Sequence, residues 1–128
     1  MEPRIEPINA GLHRQKAVLR FRDDASRGAI FTDDGDISMQ VVSLDDVLAG
    51  SRASYIKMNI EGAEIDALNG ARRTIERWLP KLAISVYHRP SDLWRIPQLV
   101  HETSPRYALY LRQHDGGVIE TVLYAIAR

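Results

Sequence analysis

Asn59, Glu61 and Glu64 stand within six positions of one another in Tyr55-Ile-Lys-Met-Asn-Ile-Glu-Gly-Ala-Glu64, and His88 follows the most apolar run of the chain. The first segment reads as a short strand that ends in a polar residue, turns through Glu-Gly and opens an acidic-headed helix. In an open α/β sheet, ligands sit just beyond the carboxyl ends of the strands, which is where these side chains fall. An amide at position 59 offers a donor and an acceptor to a bound molecule, or a cap to the next helix. Glu61 and Glu64 would lie in a first helical turn, where the helix dipole favours any carboxylate. Near neutral pH the imidazole of His88 suits a general base; the plainer alternative is a turn histidine bonded to backbone. Tyr87 and Arg89 flank it as candidate substrate contacts. Lys57 lies inside an apolar strand, where its ammonium needs a partner acid or a route to water. His13, His101 and His114 have no motif around them, and Trp78 and Trp94 read as packing residues.

Elements must position these groups. Residues 5–12 read as a strand or strand remnant. Residues 17–22 and 37–42 alternate and predict a pair of strands around the Asp/Gly/Ser-rich stretch 23–36. Ser43, with Asp46 three residues on, reads as a helix N-cap, and Gly50 as that helix's end. Ile65, Leu68, Ala71, Ile75 and Trp78 recur at helical spacing up to Pro80. Residues 81–87 are apolar almost throughout, which predicts a parallel strand covered on both faces. Residues 92–102 have helical spacing despite Pro97. Residues 107–113 and 118–126 predict a hairpin around Asp115-Gly116-Gly117. The order is strand, helix, strand, helix, then an antiparallel pair, and right-handed crossovers would bring the turns after residues 55–60 and 81–87 to one edge.

The chain has 128 residues, the size of one domain. Lys plus Arg and Asp plus Glu total 17 each, a formal charge of zero without a clustered basic face, so nothing predicts nucleic-acid or anionic-membrane binding. The absence of cysteine excludes disulfides, thiolate metal sites and a thiol nucleophile, and is compatible with the cytoplasm. No metal site is predicted. No apolar run approaches the roughly 20 residues of a membrane span.

The segment from Tyr55 to Glu64 resembles the Ile-Lys-x-Asp-x-Glu-Gly-x-Glu signature of FkbM-type S-adenosylmethionine-dependent methyltransferases, with Asn59 where that family usually has Asp. Val42-Ser-Leu-Asp-Asp46, Leu68-Asn-Gly-Ala71, Trp78-Leu-Pro-Lys-Leu-Ala-Ile-Ser-Val-Tyr-His88, Leu93-Trp-Arg-Ile-Pro97 and Glu120-Thr-Val-Leu-Tyr124 are similar to family sequence as well. The resemblance covers about the last two-thirds of the chain. It implies the C-terminal half of a class I, Rossmann-like methyltransferase sheet, mostly parallel with a C-terminal antiparallel hairpin, in a single partial domain (1–42 a strand and hairpin region, 43–128 the FkbM-like core). It implies methyl transfer from S-adenosylmethionine to a hydroxyl of a small molecule, such as a sugar or a polyketide. His88 and Asn59 would be the catalytic candidates; Glu61, Glu64, Lys57, Tyr87 and Arg89 the substrate-binding ones. The glycine turn and ribose-binding acid that hold the cofactor in this family are not found, and residues 5–9 would correspond to the third strand of the fold. The expectation is therefore weak cofactor binding and little or no activity by this chain alone. The alternative is a non-catalytic remnant or partner-binding α/β module. The strand at 55–60 would have an open edge, which predicts self-association or pairing with another chain.

Overall fold

The computed structural model describes residues 4–24, 28–117 and 119–128. Two mixed four-stranded sheets form the molecule. The first contains β1 (Gly11–Leu12), β2 (Ala17–Asp24), β3 (Gly28–Phe31) and β4 (Ile37–Val42), in the order β1-β4-β2-β3. The expected pairing of β2 with β4 is present and antiparallel, Ala17 opposite Val41 through Phe21 opposite Ile37. The expected strand at 5–12 shrinks to β1, which runs parallel to β4. Ile5 and Ile8 are exposed, so that stretch lacks the buried face that would hold it as a strand.

The second sheet contains β5 (Tyr55–Met58), β6 (Lys81–Ser85), β7 (Tyr107–Gln113) and β8 (Thr121–Ala127), in the order β5-β6-β8-β7. β5 and β6 are parallel, Tyr55 opposite Lys81 through Met58 opposite Ile84. The hairpin strand β8 enters between β6 and β7 and is antiparallel to both. The hairpin strands lie at one end of the sheet, as expected, but the expectation of a mostly parallel sheet gives way to a mixed one, because β5 and β6 are its one parallel pair among the described residues and β8 joins β6 antiparallel. Val118, where the last strand was expected to begin, lies outside the described residues, and β8 starts at Thr121.

Among the described residues four helices accompany this sheet: α1 (Leu44–Leu48), α2 (Glu64–Asn69), α3 (Arg72–Trp78) and α4 (Asp92–Thr103). Ile56, Met58, Leu82, Ile84, Val86, Leu123 and Ala125 share one core with Ala67, Leu68, Ala71, Ile75, Ile96 and Val100. These strand positions alternate, so they are one face of the sheet. The other face carries Tyr55, Lys57, Tyr110 and Ile126, all exposed. The near-continuous apolar character of β6 had predicted cover on both faces. Ala83 and Ser85 are buried on the second face, where their register neighbours are Lys57, Tyr124 and Val122.

Ser43 caps α1 as its sequence suggests, its hydroxyl accepting from the Asp46 N–H at 3.2 Å. The helix ends at Leu48, two residues before Gly50, with its C-cap Ala49 already left-handed at φ 46°. The single helix expected over 65–78 is broken at Gly70-Ala71 into α2 and α3. A Cβ on Gly70 would stand 2.1 Å from the His13 carbonyl oxygen, so glycine lets the N-terminal segment cross there. The Gly70 carbonyl then accepts from Asp45 N–H at 2.8 Å. Asp45 in turn caps the new helix start, accepting from Arg73 N–H at 3.1 Å, Thr74 N–H at 2.8 Å and the Thr74 hydroxyl at 2.7 Å. Burial works against ionisation of Asp45, but these bonds outweigh it and hold the carboxyl below its ordinary range. In α4 the buried stripe of Ile96 and Val100 carries the helix through Pro97, despite the lost backbone donor.

Candidate functional site

The parallel pairing of β5 and β6 brings the turns after both strands to the same end of the sheet. Asn59 and Glu61 leave the end of β5, and Tyr87, His88 and Arg89 the end of β6. The expected gathering of these residues is therefore present, in two neighbouring groups.

In the first group the Tyr87 hydroxyl donates to Asn59 Oδ1 at 3.3 Å. Asn59 is exposed and caps no helix; the α2 N-cap position is Ala63, which makes no side-chain bond. In the second group, Glu64 is fully buried and folds back on the turn that precedes its helix. Its Oε1 accepts from Ile60 N–H at 2.9 Å and its Oε2 from Gly62 N–H at 3.0 Å. These bonds hold a turn in which Glu61 (φ 57°) and Gly62 (φ 99°) are both left-handed. Glycine at 62 also leaves room for Arg89, whose Nε would lie 3.2 Å from a Cβ there.

His88 closes the second group. Its Nδ1 lies 2.9 Å from Glu64 Oε1 and its Nε2 3.5 Å from Glu61 Oε2. Both are close contacts whose alignment falls short of a hydrogen bond, a state common for catalytic groups before a ligand tightens them. Glu64 is fixed by backbone, whereas Glu61 sits on an exposed turn and can yield Nε2 to a ligand. The rings of Tyr87 and His88 lie 4.3 Å apart, tilted by 38°, and join the two groups. Arg89 is exposed beside them. Lys57 does not join the cluster. It stands on the open face of an edge strand, with its ammonium in solvent, and needs no buried partner.

One member was not legible in the sequence. Asp92, in the first turn of α4, is 1% exposed, and neither of its carboxyl oxygens has a well-aligned hydrogen-bond partner, the Arg89 backbone N–H making only a weak approach to it. Burial first, and then the nearby Glu64 carboxylate, push its pKa up; the Arg89 backbone, the Arg89 guanidinium and His88 pull the other way. A first-turn acid is an ordinary sight in a sequence, and only its burial sets this one apart.

Among the described residues no group of three or more acidic, histidine or cysteine side chains is arranged to hold a metal. A surface cavity of about 390 Å³, lined by Asp45, Asp46, Gly50, Arg73, Arg77 and Trp78 among others, shares no residue with the cluster. Trp78 there lies under the Arg77 guanidinium at 4.8 Å, and Trp94, expected to pack, is exposed instead. His13, expected at the surface, is half-buried and lies 3.3 Å from Asp66. S-adenosylmethionine needs close backbone approach and a free carboxylate for its ribose. Here the space over Gly62 is taken by Arg89, and Glu64 is buried against His88 and the turn before α2. The residues present do not by themselves fit that group.

The methyltransferase FkbM domain family matches residues 8–116, so the similarity extends well upstream of the motifs read from the sequence. The crystal structure of methyltransferase FkbM from Methylobacillus flagellatus KT superposes with a TM-score of 0.73 at 32% sequence identity, over 91% of this chain. This chain spans 27% of that one. No curated protein matches the chain. No helix among the described residues is long and apolar enough to cross a membrane. The match over 8–116 and the agreement in fold with a relative of this identity establish that the chain belongs to the FkbM methyltransferase domain family.

Proposed function

We propose that the chain carries the acceptor side of a methyltransferase site, in which a hydroxyl of a small molecule is bound and relieved of its proton. The observation that carries this reading is the contact of Glu64 Oε1 with His88 Nδ1 at 2.9 Å. A carboxylate fixed by two backbone N–H groups would hold the ring with its hydrogen on Nδ1 once that contact aligns into a hydrogen bond. Nε2, buried beneath Glu61 Oε2 at 3.5 Å, would take up a hydroxyl proton when Glu61 swings aside for the acceptor. Asn59 and the Tyr87 hydroxyl supply a donor and an acceptor to orient the rest of the acceptor molecule. Glu61 and Arg89 line the approach. Methyl transfer to such an oxygen is the chemistry the family implies, with S-adenosylmethionine as the donor in a cytoplasmic setting. Because the residues present do not make a cradle for that donor, we expect this chain alone to bind it weakly or not at all. The order β5-β6-β8-β7, with its crossover helices, fits half of a Rossmann-like sheet, which supports the same reading.

A titration of the isotope-labelled chain tests it. Sugar and polyketide hydroxyl compounds are expected to shift the resonances of Asn59, Tyr87 and His88, and Glu64→Ala to abolish the shift at His88. Perturbation confined to residues away from these turns would remove the reading. Low-micromolar calorimetric binding of S-adenosylmethionine would show that the cofactor site has been misjudged.

A second reading, a module that pairs with another chain, is favoured by one observation. Among the described residues β5 ends its sheet with β6 as its one strand partner, and Tyr55 and Lys57 stand exposed on it. Such an edge is a template for a further strand.

A further inference from the structure

We propose that the end of the second sheet opposite the acceptor site binds a nucleoside diphosphate, in a site built around Trp78 and the unneutralised cations Arg52, Arg77 and Lys81. β5 and β6 run parallel. The turns with Asn59 and His88 follow their carboxyl ends, and Ser54, Tyr55 and Lys81 stand at their amino ends. Two cavities open at this amino end. One, of about 390 Å³, is lined from α1 and α3 by residues that include Asp45, Asp46, Gly50, Arg77 and Trp78. The other, of about 490 Å³, is lined by Arg52, Ser54, Tyr55, Trp78 and Lys81 among others. Each has the size of a small-molecule site, roughly 300–1,000 Å³, and Trp78 lines both.

The cations of this end are scattered in the sequence and gathered by the fold. The acids that share their elements are already engaged. Arg73 pairs with Asp45 and Asp46, at 3.4 Å each, and Arg72 with Glu76 at 3.2 Å. Among the described residues no acid pairs with Arg52, Arg77 or Lys81. Arg77 is nevertheless held in place. Its guanidinium lies over the Trp78 ring at 4.8 Å, and its Nη1 would stand 3.7 Å from a Cβ on Gly50, just beyond α1. A planar guanidinium fixed in this way can meet a phosphate with two parallel donors and loses little freedom in doing so. Arg52 and Lys81 are exposed and place further positive charge in the second cavity. A diphosphate answers cations spread over two cavities better than a single carboxylate does. Trp78 and Tyr55, the latter 57% exposed, offer aromatic surface to a flat base. Phosphates and a flat ring in one small molecule describe a nucleotide. Bound here, it would bridge the ends of α1 and α3 and leave His88 untouched, so this site is separate from the acceptor site.

Titration of the full chain with ADP tests this, with adenosine and inorganic pyrophosphate as the ring and the phosphates alone. The chain has two tryptophans, so Trp94→Phe leaves the indole ¹⁵N–¹H signal of Trp78 as the single reporter. ADP should shift that signal saturably and raise Tm. Adenosine and pyrophosphate should each bind about tenfold or more weakly. Arg77→Gln should weaken ADP by about tenfold or more, the worth of one charge-assisted pair. Arg95→Gln, at an exposed arginine of α4 outside both cavities, should leave ADP binding unchanged. A Trp78 signal that ignores millimolar ADP would overturn the proposal. So would equal losses in the two arginine variants, or pyrophosphate that binds as tightly as ADP. If Arg77→Gln does not fold, the comparison of the three ligands on the Trp94→Phe chain decides alone.

Discussion

Replacing Glu64 separates its role as a charge from its role as a backbone staple. In Glu64→Ala the N–H groups of Ile60 and Gly62 lose their acceptors in a part-buried turn, and each orphaned donor costs about 1–3 kcal/mol. The left-handed backbone of Glu61, held by those bonds, is relieved of roughly 1 kcal/mol of strain when they go, a partial offset. Together the loss is about 1–5 kcal/mol. Glu64→Gln keeps one oxygen, enough for the Ile60 N–H, but turns an amide NH₂ toward the Gly62 N–H. One donor then faces another, and the loss is about 1–3 kcal/mol. For a chain of this size 1 kcal/mol corresponds to about 3–5 °C in Tm, so glutamine should lower Tm by roughly 5–10 °C and alanine by roughly 10–15 °C. Urea unfolding followed by circular dichroism, together with calorimetry, measures both. A Glu64→Ala protein as stable as the parent would sink the staple argument, and so would a glutamine variant less stable than the alanine one.

Other perturbations read other parts of the fold. Gly70→Ala places a methyl group against backbone atoms of His13 and Arg14 that have nowhere to go; a loss of about 1–3 kcal/mol in urea unfolding is expected, and a neutral result would mean that the N-terminal segment is not packed there. The buried Tyr107 hydroxyl donates to the Pro80 carbonyl at 2.7 Å, and burial pushes its pKa from 10.0 up to about 12. Its neutral form therefore stabilises the folded state fully below pH 10, and that contribution is lost as pH rises through about 12. Tyr107→Phe should be less stable by about 1 kcal/mol at neutral pH yet lack this alkaline loss; parallel pH profiles for the two proteins would contradict it. Light scattering over a concentration series should show association through β5. A persistent monomer with hydrogen-exchange protection along the outward amides of Tyr55–Met58 would refute the open edge.

Much of this arrangement was legible because it depends on short-range pattern. Alternation gave β2 and β4, the Ser43 cap gave α1, and the apolar run of β6 with the Asp115-Gly116-Gly117 turn gave the strands of the second sheet. The gathering of Asn59, Glu61, Glu64, Tyr87 and His88 followed from parallel crossovers alone. What was missed depends on contacts distant in the chain. The break at Gly70 follows from the passage of His13. The insertion of β8 between β6 and β7 is a choice of pairing that two adjacent strands do not declare. Asp92 looks like any helix-opening acid until its burial in the folded chain is known.

The cap that Asp45 places on α3 links two segments almost 30 residues apart. A helix of seven residues such as α3 has too few internal bonds to repay its own nucleation. Its first turn becomes favourable only when α1 is already docked against it. The two helices should then open and close as one cooperative unit, with the intervening β5 and the Glu61-Gly62 turn enclosed between them in sequence. The end of the sheet that carries Asn59 and Glu61 would inherit its rigidity from a carboxylate at the far side of that unit. Slowed amide exchange in α3 should vanish together with that of α1 when Asp45 loses its charge.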